Sequence, residues 1–545
     1  MPSESPVGSG TELNEVLAKG SEMRASSDVS ASWAMLAVVA LLLAACGGEN
    51  GGAGAVPGSG QATEWTAYGG GKGLRYSPLA DITRENLQRL EIAWVHHSGD
   101  VSDGEGAVQS TTAYEVTPLL VDGALYFCSP FNRVFALDPE SGDERWVYDP
   151  EIDLRGRYAN QLVCRGVATW LDPDWQEGEG RVCRRRIYTA TNDGRLIALD
   201  AATGEPCVDF GDWGEVNLKR GVGPERWLGE YQVTSPPSVL HDLLVVGSAV
   251  GDNQRVDAPS GVVRAYDARS GQLRWSWNPL PEGFEGELPE GVDYHLGTAN
   301  AWAPLSVDEE RDLVFVPTGN MSPDYFGGGR GDLDIYASSV VALRGSTGEV
   351  VWHFQTVHHD LWDYDVPAQP TLADVEREGV KIPAVIQATK MGMLFVLHRE
   401  TGRPLFPVEE RPVPQNGVAG EKLSATQPFP SKPPPLIPHT LSPDDAWGLT
   451  PWDRGRCREW LSKLRSDGIY TPPTLQGSVM YPGNGGGSNW GGVAVDPERG
   501  LVIANVMDMA WMVSLFPAEE FERRRAENPG IEISPQRGTP YGMRR

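Results

Sequence analysis

The sequence predicts an all-β chain folded as a β-propeller, and two observations carry that expectation. A short strand–turn–strand motif recurs five times in order, and Gly, Pro and Trp are abundant, at 64, 43 and 18 of 545 residues. Such a composition suits many short strands joined by turns. Length alone would suggest about three or four domains. Internal repeats override that count, because repeat architectures grow by stacking one unit.

The first copy is Ala136-Leu137-Asp138-Pro139-Glu140-Ser141-Gly142, followed by Trp146. Ala198-Leu199-Asp200-Ala201-Ala202-Thr203-Gly204 repeats it without the Trp. Ala265 to Gly271 leads to Trp275, Ala342 to Gly348 to Trp352, and Val396 to Gly402 to Phe406. In the turn, the Asp side chain is suited to bond the backbone and the Gly to adopt positive φ. The Trp beyond the turn is placed to pack on a neighbouring unit. Four-stranded units stacked radially protect their own edges, which is the logic of a propeller.

Around the repeats the chain reads in order. Trp65 to Gly69 and Arg75 to Leu79 lead into a short helix candidate near Asn86 to Leu90. Arg403 to His439 is proline-rich and reads as an irregular excursion. Asp453 is placed to cap a short helix running to Ser466, with Gly468 ending it. The Gly485 to Gly492 stretch turns into a strand at Val493 to Val495, and Leu501 to Val506 reads as another. Phe521 to Asn528 is highly charged and reads as exposed.

Formal charge is −28. An acidic surface of that size repels phosphate backbones and argues against nucleic acid as a partner.

Trp33 to Ala45 is a single apolar run ending Leu43-Ala44-Ala45-Cys46. It is shorter than the roughly 20 residues a spanning helix needs. Its length and small terminal residues fit a signal-peptide core, and the ending resembles a bacterial lipobox. The expectation is a leader over 1–45, with translation starting at Met1 or Met23, a lipidated Cys46 and a Gly/Ser/Ala-rich tether over 46–62. The chain would then be a membrane-anchored lipoprotein of the periplasm or cell envelope. Five further cysteines, Cys128, Cys164, Cys183, Cys207 and Cys457, leave at least one unpaired within that set. Export permits disulfides. There is no C-x-x-C-H haem attachment motif and no C-x-x-C pair.

The chemistry concentrates in His358-His359-Asp360-Leu361-Trp362-Asp363-Tyr364-Asp365-Val366-Pro367-Ala368-Gln369-Pro370, just before the strand-like run Ile382 to Ile386. Carboxylates are rarely buried unless paired or bound to a cation. The prolines favour an extended exit. A rigid loop presenting acids and aromatics beside a strand suits a catalytic group, whereas the plainer alternative is an Asp-rich surface turn.

This motif, the repeats and the lead-in Trp65 to Pro78 together resemble the quinoprotein dehydrogenases that use pyrroloquinoline quinone (PQQ), most closely the membrane-bound glucose and quinate dehydrogenase branch. The resemblance runs from about Trp65 to Arg545. It implies an eight-bladed propeller over 63–545 with PQQ and a divalent metal, Ca²⁺ or Mg²⁺, near its axis. By position, Asp363 matches the catalytic base and a metal ligand. Lys390, in Ala388-Thr389-Lys390-Met391-Gly392, matches the catalytic cation beside the quinone oxygens. Trp302 matches the indole that stacks on the cofactor, and Asp252 and Asn320 match metal ligands. Glu115, Arg165, Thr234 and Asn505 match positions that contact PQQ. The types suit the chemistry. A hard cation prefers oxygen ligands, a carboxylate can take an alcohol proton, and a lysine stabilises charge developing on the reduced quinone.

The resemblance implies oxidation of a sugar or cyclic polyol, with electrons passed to a membrane quinone. The chain departs from the pattern in three respects. The membrane-type glucose enzymes carry an N-terminal block of transmembrane helices, and here a lipid anchor is expected in its place. Trp170 stands where the glucose enzymes lead one to expect a histidine. Family members continue past the position of Arg545 through a final blade region, so the implied propeller is incomplete at its C-terminus. The adjacent Cys-Cys pair of methanol dehydrogenase is missing, as in the glucose branch. Two other readings stay open: a non-catalytic propeller lipoprotein of an envelope assembly, and a truncated pseudoenzyme.

Overall fold

The computed structural model describes residues 64–175 and 182–545. The expected leader, lipidated Cys46 and tether lie outside the described residues. Among the described residues no helix is long and apolar enough to cross a membrane.

The regular elements of the described chain are mostly strands, with few helices. Four sheets each contain four strands in sequence order, with the short strand Ala249–Val250 intervening in one of them and pairing with Tyr231–Gln232 instead. The first, blade A, is Leu119–Val121, Ala124–Cys128, Val134–Leu137 and Glu144–Tyr148. Blade B is Ala168–Leu171, Arg185–Ala190, Arg195–Asp200 and Glu215–Asn217. Blade C is Ser238–Leu240, Leu243–Val246, Val263–Asp267 and Leu273–Trp277. Blade D is Ser306–Asp308, Leu313–Pro317, Ser339–Arg344 and Val350–Gln355. Blade E has three strands, Thr371–Arg377, Val380–Ala388 and Leu394–His398. A further four-stranded sheet is built from Ser478–Met480, Trp511–Pro517, Tyr541–Arg544 and Ile533–Ser534. These sheets are the blades of a β-propeller.

The repeated motif forms the last turn of each of the first four blades. Asp138 Oδ1 accepts the backbone N–H groups of Glu140 and Ser141, and Asp200 and Asp267 do the same in their turns. The turn glycines adopt φ near +70 to +77°, where a Cβ is penalised. Each Trp does reach the next unit. Trp146 Nε1 donates to the Ala201 carbonyl at 3.0 Å, Trp275 to Gly345 at 2.7 Å and Trp352 to Arg399 at 2.9 Å. Their indoles press on Gly204, Gly348 and Gly402. Trp94, upstream of the repeats, docks on Gly142 in the same way and donates to Pro139. Blade B lacks the Trp, and Gly271 of blade C meets the backbone of Gly211 and the side chain of Val216 instead.

Other local expectations shift in detail. The helix expected near Asn86 is one 3-10 turn, Leu87–Arg89. The helix α1 spans Pro451–Leu461 and is capped by Thr450, which accepts the Asp453 N–H, so Asp453 lies inside the first turn. The proline-rich excursion contains a hairpin, Val408–Pro412 with Thr426–Pro430. Val493–Asp496 pairs with Leu501–Ala504 as a two-stranded sheet. The charged stretch is the helix α2, Phe521–Glu527, which buries only Phe521. Cys128 bonds Cys164, Cys183 bonds Cys207, and Cys457 is free.

Candidate active site

The loop His358 to Pro370 connects the last strand of blade D to the first of blade E. Asp360 folds its start. Its Oδ1 accepts the Trp362 N–H and its Oδ2 the Tyr364 N–H, both at 2.8 Å. Trp362 and Tyr364 are buried, and each polar tip is satisfied: Trp362 Nε1 donates to Thr471 and the Tyr364 hydroxyl to Pro482. Burying two large aromatics with their polar atoms bonded pins the loop on either side of Asp363. Gln369 holds the exit through the Tyr68 and Leu305 carbonyls.

Between these anchors Asp363 and Asp365 face Lys390, which follows the central strand of blade E. Lys390 Nζ lies 2.7 Å from Asp363 Oδ1, 2.8 Å from the Asp363 carbonyl and 3.1 Å from Asp365 Oδ2. Trp302 Nε1 donates to Asp365 Oδ2 at 3.0 Å, and the Asn320 N–H donates to Asp365 Oδ1 at 2.7 Å. Asn484 and Arg545 donate to Asp363 Oδ2. Opposite them Arg165 donates to Thr234 Oγ1 at 2.7 Å and stands 3.0 Å from Glu115. Its guanidinium lies 5.1 Å from the centre of the Trp302 ring and 5.9 Å from that of Trp490. All of these groups except Asn320 line a cavity of about 300 Å³, at the lower end of the size of small-molecule sites.

The charges in this cavity are unbalanced. Burial, reinforced by Asp365, pushes Asp252 up to about 7. Burial pushes Asp363 up to about 8, because desolvation and the Asp365 and Asp252 carboxylates outweigh Lys390 and Arg545. Asp365 moves the other way: burial opposes its charge, but Lys390 and the Trp302 N–H outweigh it and lower its pKa. Lys390 is raised, since the two carboxylates overcome its desolvation. A buried excess of carboxylate oxygen is the environment a hard divalent cation relieves. Several polar atoms also await a partner. Glu115 Oε2, Arg165 Nε and Asn300 Oδ1 are buried without a hydrogen bond, the Arg165–Glu115 contact being a charge pair without hydrogen-bond alignment at Oε2. Buried polar atoms of this kind are rare in an unliganded core and common where a polar ligand binds. A compact, polar, anionic ligand beside a cation fits the residues present.

Most residues selected from the sequence meet here. Glu115, Arg165, Thr234, Asp252, Trp302, Asp363 and Lys390 all line the cavity. Asn320 is buried outside the lining. Its Nδ2 donates to the Asp324 and Asp360 carbonyls and its Oδ1 accepts the Met321 N–H. Asn505 is exposed, just past the strand Leu501–Ala504, and is not among the lining residues. Trp170 is buried in blade B with Arg186 and Arg269 over its ring, also outside the lining. Among the described residues no three His, Cys, Asp or Glu side chains form a ready metal-ligand cluster. A cation here would therefore lean on amide oxygen as well, and Asn300, which donates to Asp252 at 3.0 Å, keeps its Oδ1 unpaired. Asp365, Asn300, Asn484 and Trp490 also line the cavity and escaped selection from sequence. Three of them stand within a few residues of selected motifs, and Trp490 sits in the Gly-rich stretch.

With this geometry in view, the likenesses to known proteins agree. The family model described as "PQQ: Glucose/ethanol/alcohol dehydrogenase, beta-propeller domain" matches residues 65–545. The chain belongs to that family of quinoprotein dehydrogenases. It is 38% identical to "Quinoprotein glucose dehydrogenase A" of Acinetobacter calcoaceticus over 90% of this chain and 63% of that protein. It is 37% identical to "Quinate/shikimate dehydrogenase (quinone)" of Acinetobacter baylyi over 88% of this chain and 61% of that protein. Among solved structures, the quinohemoprotein alcohol dehydrogenase from Comamonas testosteroni superposes with a TM-score of 0.58 at 25% identity, covering 84% of this chain and 59% of that one. The chain thus spans about three fifths of the length of the curated relatives it matches.

Proposed function

We propose that this chain is a PQQ- and Ca²⁺-dependent dehydrogenase that oxidises a sugar or cyclic polyol at the cell envelope and passes the electrons to membrane quinone. The observation that carries the reading is Lys390 held between Asp363 and Asp365 beside Trp302 in one polar cavity. Arg165, Glu115 and Thr234 would hold the cofactor's polar edge, and Trp302 would give its flat ring an aromatic face. Asp252, Asp363 and Asn320 are the proposed cation ligands, with Asn300 Oδ1 a further amide oxygen beside Asp252. When bound, PQQ supplies the two-electron acceptor that no side chain of the protein provides.

The chain's own residues supply the rest. Asp363 takes the proton of the alcohol; a carboxylate whose pKa burial has raised is a stronger base than an ordinary one, and a neighbouring cation favours its ionised form. Lys390 keeps Asp363 oriented by bonding both its carboxylate and its carbonyl, and provides positive charge where negative charge develops. Asp365, kept ionised, orients Lys390 and the Trp302 indole. The polar rim suits a substrate with several hydroxyls, and the names of the Acinetobacter relatives point to the same substrate class. The apolar run Trp33 to Ala45 and its ending at Cys46 support the envelope assignment and a lipid anchor. The test is a dye-linked screen of aldoses, quinate-like polyols and glycerol with chain reconstituted in PQQ and Ca²⁺. Turnover on one of these classes is expected. A folded, PQQ-loaded chain that oxidises none of them would contradict the reading.

A further inference from the structure

Asp360 lies outside the cavity lining, yet its carboxylate accepts as many donors as those of Asp363 and Asp365 within it. It is 1% exposed. Its two oxygens accept three donors: the Trp362 N–H on Oδ1, and the Tyr364 N–H and the Ser338 hydroxyl, at 2.7 Å, on Oδ2. Its main-chain carbonyl accepts from Asn320 Nδ2 at 3.1 Å and from Arg330 at 2.6 Å. The bonds bracket Asp363, whose own φ is +56°. Two more non-glycine residues in the left-handed region adjoin the same carboxylate. Ser338, at +46°, donates to it, and His359, at +47°, precedes it in the chain. Left-handed backbone at ordinary residues persists only where the surroundings over-determine it, and it clusters where geometry matters.

We propose that Asp360 is a positioning residue for the reaction: its carboxylate fixes the backbone of residues 360–364, and with it the direction in which Asp363 presents its oxygens to Lys390 and the cavity. The proposal rests on the reading of Asp363 as the base. The need for a carboxylate follows from counting donors. Asn at this position has one acceptor oxygen, and its NH₂ would face N–H or O–H groups that also donate. Released from the bracket, Asp363 would leave the left-handed region for a more populated one, and its carboxylate would swing from Lys390. A displacement of about 1 Å at such a group costs about 100-fold in rate.

The test uses the full chain and the D360N and S338A variants. Hydrogen exchange followed by mass spectrometry reads the Trp362 and Tyr364 amides directly. In D360N they should exchange about 100-fold faster, while the strand Val380–Ala388 keeps its protection. With PQQ and Ca²⁺ bound, kcat should fall about 100-fold with KM nearly unchanged, and the deuterium isotope effect on kcat should rise as the chemical step becomes limiting. S338A, which removes one of the three donors, should show both effects at lower size, and it decides the matter if D360N does not fold. Unchanged exchange at these amides, or faster exchange with kcat within about twofold of wild type, overturns the proposal. The exchange arm needs no turnover. A chain that binds PQQ but turns over nothing therefore counts against the dehydrogenase reading and not against the clamp.

Discussion

Lys390 bonds Asp363 twice, once at the carboxylate Oδ1 at 2.7 Å and once at the main-chain carbonyl at 2.8 Å. A single ammonium thus fixes both where the proposed base sits and how its side chain turns. It also reaches Asp365 at 3.1 Å, so removing it leaves two buried carboxylates without their nearest cation.

Asp363→Asn keeps the shape and removes the base. Turnover should fall by at least about 1,000-fold, while PQQ binding persists. Lys390→Met should instead destabilise the fold by about 3 kcal/mol, because breaking a buried pair strands a charge. Denaturant unfolding of both variants beside wild type separates the two effects. Full activity in Asp363→Asn would mean that another group takes the proton.

His359 predicts a pH dependence of stability away from the cavity. It is held between Asp334 at 2.8 Å and Glu421 at 3.0 Å, with Arg330 nearby. Burial and Arg330 oppose its charge, yet the two carboxylates raise its pKa above the ordinary 6.5. Asp334 and Glu421 are lowered, burial opposing and His359 prevailing. The raised histidine stabilises fully below pH 6.5, and this contribution fades as pH rises through its higher folded value. The lowered acids stabilise above their ordinary values of 3.8 and 4.5 and lose this as pH falls through their folded values. Stability from this cluster should therefore peak between about pH 5 and 6.5. His359→Gln should cost about 3 kcal/mol there and flatten the profile, as read from midpoints of urea unfolding across pH.

The indole contacts between blades predict where small additions hurt. A Cβ at Gly204 would stand 2.6 Å from the Trp146 ring, at a residue with φ of +77°. Gly204→Ala should cost about 3 kcal/mol. An alanine at Gly379, where a Cβ meets nothing within 4 Å although φ is +80°, should cost about 1 kcal/mol through backbone strain alone. Thermal unfolding of the pair isolates the indole contact.

The disulfide Cys128–Cys164 joins the end of a blade A strand to the segment before blade B across 36 residues. A loop of that length corresponds to about 4 kcal/mol in the chain-entropy treatment. The double variant Cys128→Ser with Cys164→Ser should lose a comparable amount by denaturant titration, with wild type under reducing conditions approaching it.

The blades were legible because their signal is local. Asp138, Gly142 and Trp146 specify a turn within a few residues, and the structure places all three in the roles their types suggest. Trp94 performs the same docking and went unseen, because no repeat precedes it to mark its phase. The site was legible where chemistry and motif coincide, at Asp363, Lys390 and Trp302. Asn484 and Trp490 join Asp363 and Arg165 across more than a hundred residues of chain, a proximity that no local spacing encodes. Asn320 carries structure that its residue type does not announce: four hydrogen bonds through its backbone and amide tie it to Asp365 and to neighbouring backbone. The disulfide pairing was likewise beyond reach of spacing, since it depends on how strands and loops fold back on one another, within blade B for Cys183–Cys207 and between blade A and the segment before blade B for Cys128–Cys164.

The central claim is that the cavity holds PQQ with the help of a divalent cation. Its most direct test is a titration of the purified chain with PQQ, with and without Ca²⁺, followed by tryptophan quenching, with Trp302→Phe and Asp252→Ala as controls. The account predicts saturable quenching that Ca²⁺ strengthens, a smaller amplitude in Trp302→Phe, and a higher Ca²⁺ requirement in Asp252→Ala. A folded chain whose fluorescence ignores PQQ at every Ca²⁺ concentration would contradict it.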